Sequence, residues 1–178
     1  MSNLSSHMAQ ALVDAAGGLE QSQYLSFALG EETFAIGILG IKEIIEYDKL
    51  TPVPDMPACV RGVINLRGAV VPVIDLAARF GRGQSDTTRR TCIVIVEVKA
   101  GAAGVQTIGL LVDAVNEVMD LQPQDIEPAP ALGASTQARL ISGMGKVGDK
   151  LIMILNTAQL LDVRELGQLA DDEARAQA

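Results

Sequence analysis

The two halves of this 178-residue chain answer each other. Thr33-Phe34-Ala35-Ile36 is matched by Thr107-Ile108-Gly109-Leu110, and Ile41-Lys42-Glu43-Ile44-Ile45-Glu46 by Val115-Asn116-Glu117-Val118-Met119-Asp120 at the same offset. Pro52-Val53-Pro54 is answered by Pro128-Ala129-Pro130, and Val71-Pro72-Val73-Ile74-Asp75-Leu76 by Ile152-Met153-Ile154-Leu155-Asn156-Thr157. Such a repeat restricts the fold to one topology made twice. Its units are short apolar runs punctuated by Gly, Pro or acidic turns: 23–29, 33–38, 41–46, 61–66 and 69–75, then 91–98, 106–112, 114–120, 141–146 and 150–155. These lengths and the β-branched content predict five strands per half. Five short strands in about 65 residues fit a small closed barrel better than a sandwich, because closure removes edges that so small a sheet cannot protect. The expectation is an all-β domain over 22–163, with a first barrel over about 22–86, a second over about 87–163, and a groove between them.

The most informative local segment is Val60-Arg61-Gly62-Val63-Ile64-Asn65-Leu66-Arg67-Gly68-Ala69-Val70-Val71-Pro72-Val73-Ile74-Asp75. Two apolar runs meet at Arg67-Gly68, where glycine tolerates the positive φ of a hairpin turn. Pro72 donates no ladder hydrogen bond, which predicts a sheet edge or a bulge for its strand. Glu43 is a second charge out of place, flanked by Ile41 and Ile45 on the same face of a strand. The residues alone admit two roles for Glu43 and Arg67: a surface salt bridge, or charges that set the register of an aliphatic contact with a partner.

Helical signals are few. Asp75 to Phe80 and Asn156 to Leu161 each begin with a capping residue, and Glu165 to Ala176 reads as a C-terminal helix within a tail over 164–178. Residues 1–21, rich in Ser, Ala and Gln, read as a flexible arm, and the single histidine, His7, lies in it.

Size and charge exclude several functions. A chain of this length buries roughly 70% of its unfolded surface, so it needs neither disulfide nor metal. Cys59 and Cys92 lack the spacing of a zinc or redox site, and no cofactor is expected. A net charge of −8 argues against nucleic acid as a partner, and 3% aromatic residues with no Trp leave few stacking platforms. With no signal segment and no apolar run near the ~20 residues that span a bilayer, a cytoplasmic protein without membrane insertion is expected. Asp75 and Asp113 stand beside no nucleophile, histidine or paired carboxylate and read as turn or cap residues. Ser142-Gly143-Met144-Gly145 lacks the third glycine and the strand-to-helix context of a dinucleotide site, and Lys146, Gly148 and Lys150 make no phosphate loop.

Taken in order, Tyr24 to Gly30, Ile41 to Ile45, the Gly-Val-Ile-Asn-Leu-Arg-Gly run, Pro-Val-Ile-Asp-Leu, Ile108 to Val115, Ile126-Glu127-Pro128-Ala129-Pro130 and Ile141 to Gly145 resemble the CheW-like family of bacterial chemotaxis coupling proteins. The resemblance spans about 22–163. It implies two five-stranded barrels of the Src-homology-3 type and a non-enzymatic adaptor that links chemoreceptor cytoplasmic tips to the regulatory domain of a CheA-type histidine kinase. The protein would then be cytoplasmic, recruited to membrane-associated receptor arrays. By the same resemblance, Ile41, Glu43, Gly62, Val63, Asn65, Leu66, Arg67 and Gly68 are the expected contact residues of the first barrel, and Gly109, Val115 and Val118 those of the second. A ligand-binding double barrel is the alternative that the fold leaves open. An enzyme ranks third, since no catalytic constellation is present.

Overall fold

In the computed structural model, which describes residues 23–48, 50–56, 59–81, 83, 86–99, 104–128 and 140–157, the apolar runs form eleven strands. These are β1 (Gln23–Leu29), β2 (Glu32–Gly37), β3 (Ile41–Glu46), β4 (Val60–Leu66), β5 (Ala69–Asp75), β6 (Cys92–Lys99), β7 (Val105–Val112), β8 (Ala114–Asp120), β9 (Ile126–Glu127), β10 (Ile141–Val147) and β11 (Lys150–Leu155). One short helix, α1 (Leu76–Arg79), follows β5. The two-residue β9 is the strand beyond the expected ten. The expected arm over 1–21 and the helix over 164–178 lie outside the described residues, as does most of the second helical turn at 156–161.

The all-β expectation holds, and the strands build two sheets of one topology. One runs β8-β1-β2-β11-β10-β9 and the other β3-β6-β7-β5-β4. Each has a single parallel junction, β2 with β11 and β7 with β5. Bulges recur at equivalent places: between Ile41 and Glu43 in β3 and between Val115 and Glu117 in β8, then between Val60 and Gly62 in β4 and between Ile141 and Gly143 in β10. Thr51 bridges Val63 as Glu127 of β9 pairs with Met144. The repeat in sequence is thus a repeat in register.

The halves of the chain are not the two sheets, which corrects the division at about residue 86. Hairpin β1–β2 joins β8 to β11, while hairpin β6–β7 completes the sheet begun by β3, β4 and β5. Each half lends its first hairpin to the other. Two short connections make the crossing: the 3-10 turn Ile38–Gly40 with Ile38 buried, and Asp113 between β7 and β8. The Asp113 N–H donates to the Ala28 carbonyl at 3.0 Å, and its carboxylate accepts from the Gly30 N–H at 2.6 Å, so this residue fastens the β1–β2 turn.

Burial follows from the exchange. The larger core joins Leu25, Phe27, Leu29, Phe34 and Ile36 of β1–β2 to Val94, Val96, Val98, Ile108, Leu110 and Val112 of β6–β7. A smaller cluster fills the inside of the five-stranded sheet with Val71, Val73, Ile93, Ile95 and Leu111. Strand β6 therefore buries both faces over most of its length, and its sequence is a continuous apolar run for that reason. The three phenylalanines stack in series, Phe27 to Phe34 at 6.2 Å and Phe34 to Phe80 at 5.1 Å, which docks the end of α1 on the larger core.

The base of hairpin β4–β5 is held by a buried ion pair. Asp75, fully buried, accepts from Arg61 Nη1 at 2.8 Å and from the Ala78 N–H at 3.3 Å, and so caps α1. Its own N–H donates to the Cys59 carbonyl at 2.6 Å. Pro72 is placed differently from the expected edge: β5 lies between β7 and β4, and β4 is the edge strand. Pairing of β5 with β7 starts only at Val73, and Val63 turns its N–H and C=O toward Thr51. Pro72 thus faces Val63 in a pair without hydrogen bonds and forfeits none.

Two stability outcomes follow. A Cβ on Gly109 would lie 2.7 Å from Ile93 Cγ2 and 3.2 Å from Val73 Cγ2, so Gly109→Val is expected to cost about 1–3 kcal/mol by overpacking, read as a lower denaturant midpoint. Asp75→Ala removes the buried carboxylate that pairs with Arg61 and uncaps α1; a loss of about 1–3 kcal/mol is expected in the same assay.

Candidate functional site

Hairpin β4–β5 presents the predicted site at its tip. Leu66 pairs with Ala69 across a two-residue turn in which Arg67 has φ 53° and Gly68 φ 87°. Positive φ at both positions is the type I′ geometry whose twist suits a two-residue hairpin. The sequence signalled Gly68 but not that Arg67 shares the left-handed conformation, which costs an L-residue roughly 1–2 kcal/mol. Asn65 Oδ1 accepts from the Gly68 N–H at 2.9 Å and closes the turn.

The arginine reaches back across the sheet. Arg67 Nη1 donates to Glu43 Oε2 at 2.6 Å, so the two charges singled out in sequence form one ion pair between opposite edge strands, β4 and β3. The Arg67 side chain is 78% exposed and that of Glu43 22%. An exposed pair of this kind contributes about 0–1 kcal/mol. That does not offset the left-handed backbone beneath Arg67, so stability alone gives no reason for arginine at this turn. Beside it the surface is apolar: Val70, opposite Asn65, is 72% exposed, and Val63, Ile64 and Leu66 are half-buried.

Gly62 has a structural cause. Its φ is 153°, and a Cβ there would lie 2.5 Å from the Thr51 carbonyl oxygen, so glycine lets the Leu50–Thr51 segment cross the bulged edge of β4. Thr51 and Val63 then exchange hydrogen bonds of 3.0 and 2.9 Å, which close part of that edge. Thr51, Val70 and the Arg61–Asp75 pair were not anticipated; only the alternation that turns Val70 away from buried Val71 and Val73 could have marked one of them.

The expected second-barrel residues are not gathered with the hairpin. Gly109 is buried between Ile93 and Val73, and Val115 lies in the larger core at 4% exposure. Both face inward in this structure, away from the exposed tip of the hairpin. Val118 and Ile41 are half-buried and pack on the same core. Among the described residues, no group of three His, Cys, Asp or Glu is placed to hold a metal ion. Burial first, then the Glu46 carboxylate, push the Cys92 thiol above its ordinary pKa, which disfavours the thiolate form.

With this geometry in hand, the comparisons are specific. The family model described as a CheW-like domain matches residues 23–165. A chemotaxis protein CheW of Klebsiella aerogenes is 30% identical over 90% of this chain and 93% of its own length, and one of Rhizobium meliloti is 32% identical over 87% and 91%. The solved structure of a scaffolding protein, TtCheW from Thermoanaerobacter tengcongensis, superposes with a TM-score of 0.71 at 34% identity, covering 80% of this chain and 89% of that one. Coverage from β1 through β11, at this identity and in a shared fold, places the chain in the CheW-like family.

Proposed function

We propose that this chain is a non-enzymatic adaptor of chemotaxis signalling, which couples the cytoplasmic tips of chemoreceptors to the regulatory domain of a CheA-type histidine kinase. The observation that carries the reading is the Arg67–Glu43 pair at 2.6 Å, set on an exposed apolar hairpin where it is not needed for stability. Membership of the CheW-like family and the relatives named chemotaxis protein support it. In this reading Ile41, Glu43, Gly62, Val63, Asn65, Leu66, Arg67 and Gly68 form or support the contact. Apolar area around Val63 and Val70, on one face of the hairpin, supplies affinity, and the two charges set register and partner choice. A groove between the barrels accepts an amphipathic receptor helix, and one barrel meets a similar barrel of the kinase end to end. Coupling then requires that both partners bind at once and that one arrangement of the assembly is favoured. The site of action is the cytoplasm, at membrane-associated arrays. No helix among the described residues is long and apolar enough to cross a membrane.

The direct experiment is co-sedimentation of the chain with a receptor cytoplasmic fragment and a kinase regulatory domain, singly and together, at two salt concentrations. A ternary complex is expected; failure of a folded chain to bind either partner would overturn the reading.

Three variants separate function from fold. Arg67→Glu is expected to abolish receptor-dependent kinase activation while circular dichroism and melting temperature stay close to those of the parent. Arg67→Gly relieves the left-handed backbone, so it should be as stable as the parent or more so, by up to about 1 kcal/mol, and still fail to couple. The charge swap Glu43→Arg with Arg67→Glu rebuilds the intramolecular pair with reversed polarity. Coupling should remain lost, whereas recovery would show that the pair acts only within the fold.

A further inference from the structure

The internal repeat carries an inference about the second sheet, because it specifies what each residue of the Arg67 site has become there. The bulges align Glu43 with Glu117, and the hairpin registers align Leu66 with Val147, Arg67 with Gly148, Gly68 with Asp149 and Ala69 with Lys150. The carboxylate is retained and the guanidinium is missing. Among the described residues, the Glu117 carboxylate makes no hydrogen bond or ion pair; only its backbone is engaged, through the Ser26 hydroxyl at 3.0 and 3.2 Å. Where the Arg67 side chain spans β4 and β3, the second sheet has a solvent-open cleft of about 470 Å³ between the β10–β11 turn and β8.

The cleft is shaped for a long cation with an apolar stem. Met119, Val147 and Ile152 supply aliphatic wall, Glu117 and Asp149 supply two carboxylates, and Lys150 supplies one ammonium, which leaves the lining at net −1. Val147, on the same face of the hairpin as Ile152, is 39% exposed and leaves part of this apolar wall open to solvent. An arginine lays its methylenes on such a wall and its planar guanidinium on a carboxylate. The molecule itself shows the pairing, since the equivalent carboxylate, Glu43, holds Arg67 at 2.6 Å.

We infer that this cleft of the second sheet receives an arginine side chain presented by a partner polypeptide, with Glu117 as its counter-ion. The site is distinct from the Arg67 hairpin and rests on the adaptor reading only in taking the occupant to be part of a protein.

The test needs neither receptor nor kinase, so its failure is separable from failure of that reading. The isotopically labelled full chain is titrated with N-acetyl-arginine amide, and in parallel with its neutral isostere N-acetyl-citrulline amide, with backbone amide shifts as readout. Saturable shifts are expected at Glu117, Met119 and Val147–Lys150, with affinity about two- to fivefold weaker for citrulline and for the Glu117→Gln variant. Gly148→Arg supplies the missing arginine from within. Gly148 has φ 60°, close to that of Arg67, and a Cβ there meets nothing within 4 Å, so the variant is expected to fold and to lose the response. Absence of saturable shifts, equal response to citrulline, or indifference to Glu117→Gln would each overturn the inference.

Discussion

The exchange of hairpins β1–β2 and β6–β7 between the two halves is the constraint from which the rest of the molecule follows. Neither sheet is complete without strands from the other half, and the inner faces of the lent hairpins meet in one core. Each fully buried Leu, Ile, Val or Phe there contributes roughly 1.5–3 kcal/mol relative to exposure, so separating the halves would expose the largest apolar store in the protein. The two sheets are therefore held together by one shared core.

The β4–β5 hairpin is anchored on this core. Its base is fixed by the buried Arg61–Asp75 pair and the capped helix α1, and its edge is partly closed by Thr51. Only the tip is open. An arginine in a left-handed conformation at the end of so well-anchored a ribbon is a local strain that the fold tolerates without return in stability, as expected where a surface is kept for recognition. The second sheet repeats the scaffold but not the charge: Gly148 stands for Arg67, and the carboxylate at Glu117 is left facing a cleft.

Much of this was legible in the residues. The equivalences of β2 with β7, β3 with β8 and β5 with β11 were visible as repeats, and the turn at Arg67-Gly68 and the cap at Asp75 were each marked by a local rule. The expected shared face of Ile41, Glu43 and Ile45 holds only for Glu43 and Ile45, because the bulge after Ile41 turns that residue toward Val96 and the larger core. The hairpin exchange was not legible, because a repeat identifies equivalent units without saying which units pair. The burial of Gly109 was hidden for a related reason: the second half of β7 is buried on both faces and loses the alternation that tells inside from outside. That of Val115 was hidden because β8 is buried only at its start, ahead of its bulge. The family resemblance could not resolve this, since it carried residues over by motif and not by burial. The two-residue β9 and the bridge at Thr51 were too short to leave any periodicity.

The most direct test of the account is hydrogen–deuterium exchange on the full chain, free and in the assembly with receptor fragment and kinase regulatory domain. Slowed exchange confined largely to the Val63–Val70 tip and to β3 around Glu43, with the larger core unchanged, is the predicted result. Unchanged exchange across 63–70 in an assembled complex would contradict the claim that this hairpin makes the coupling contact.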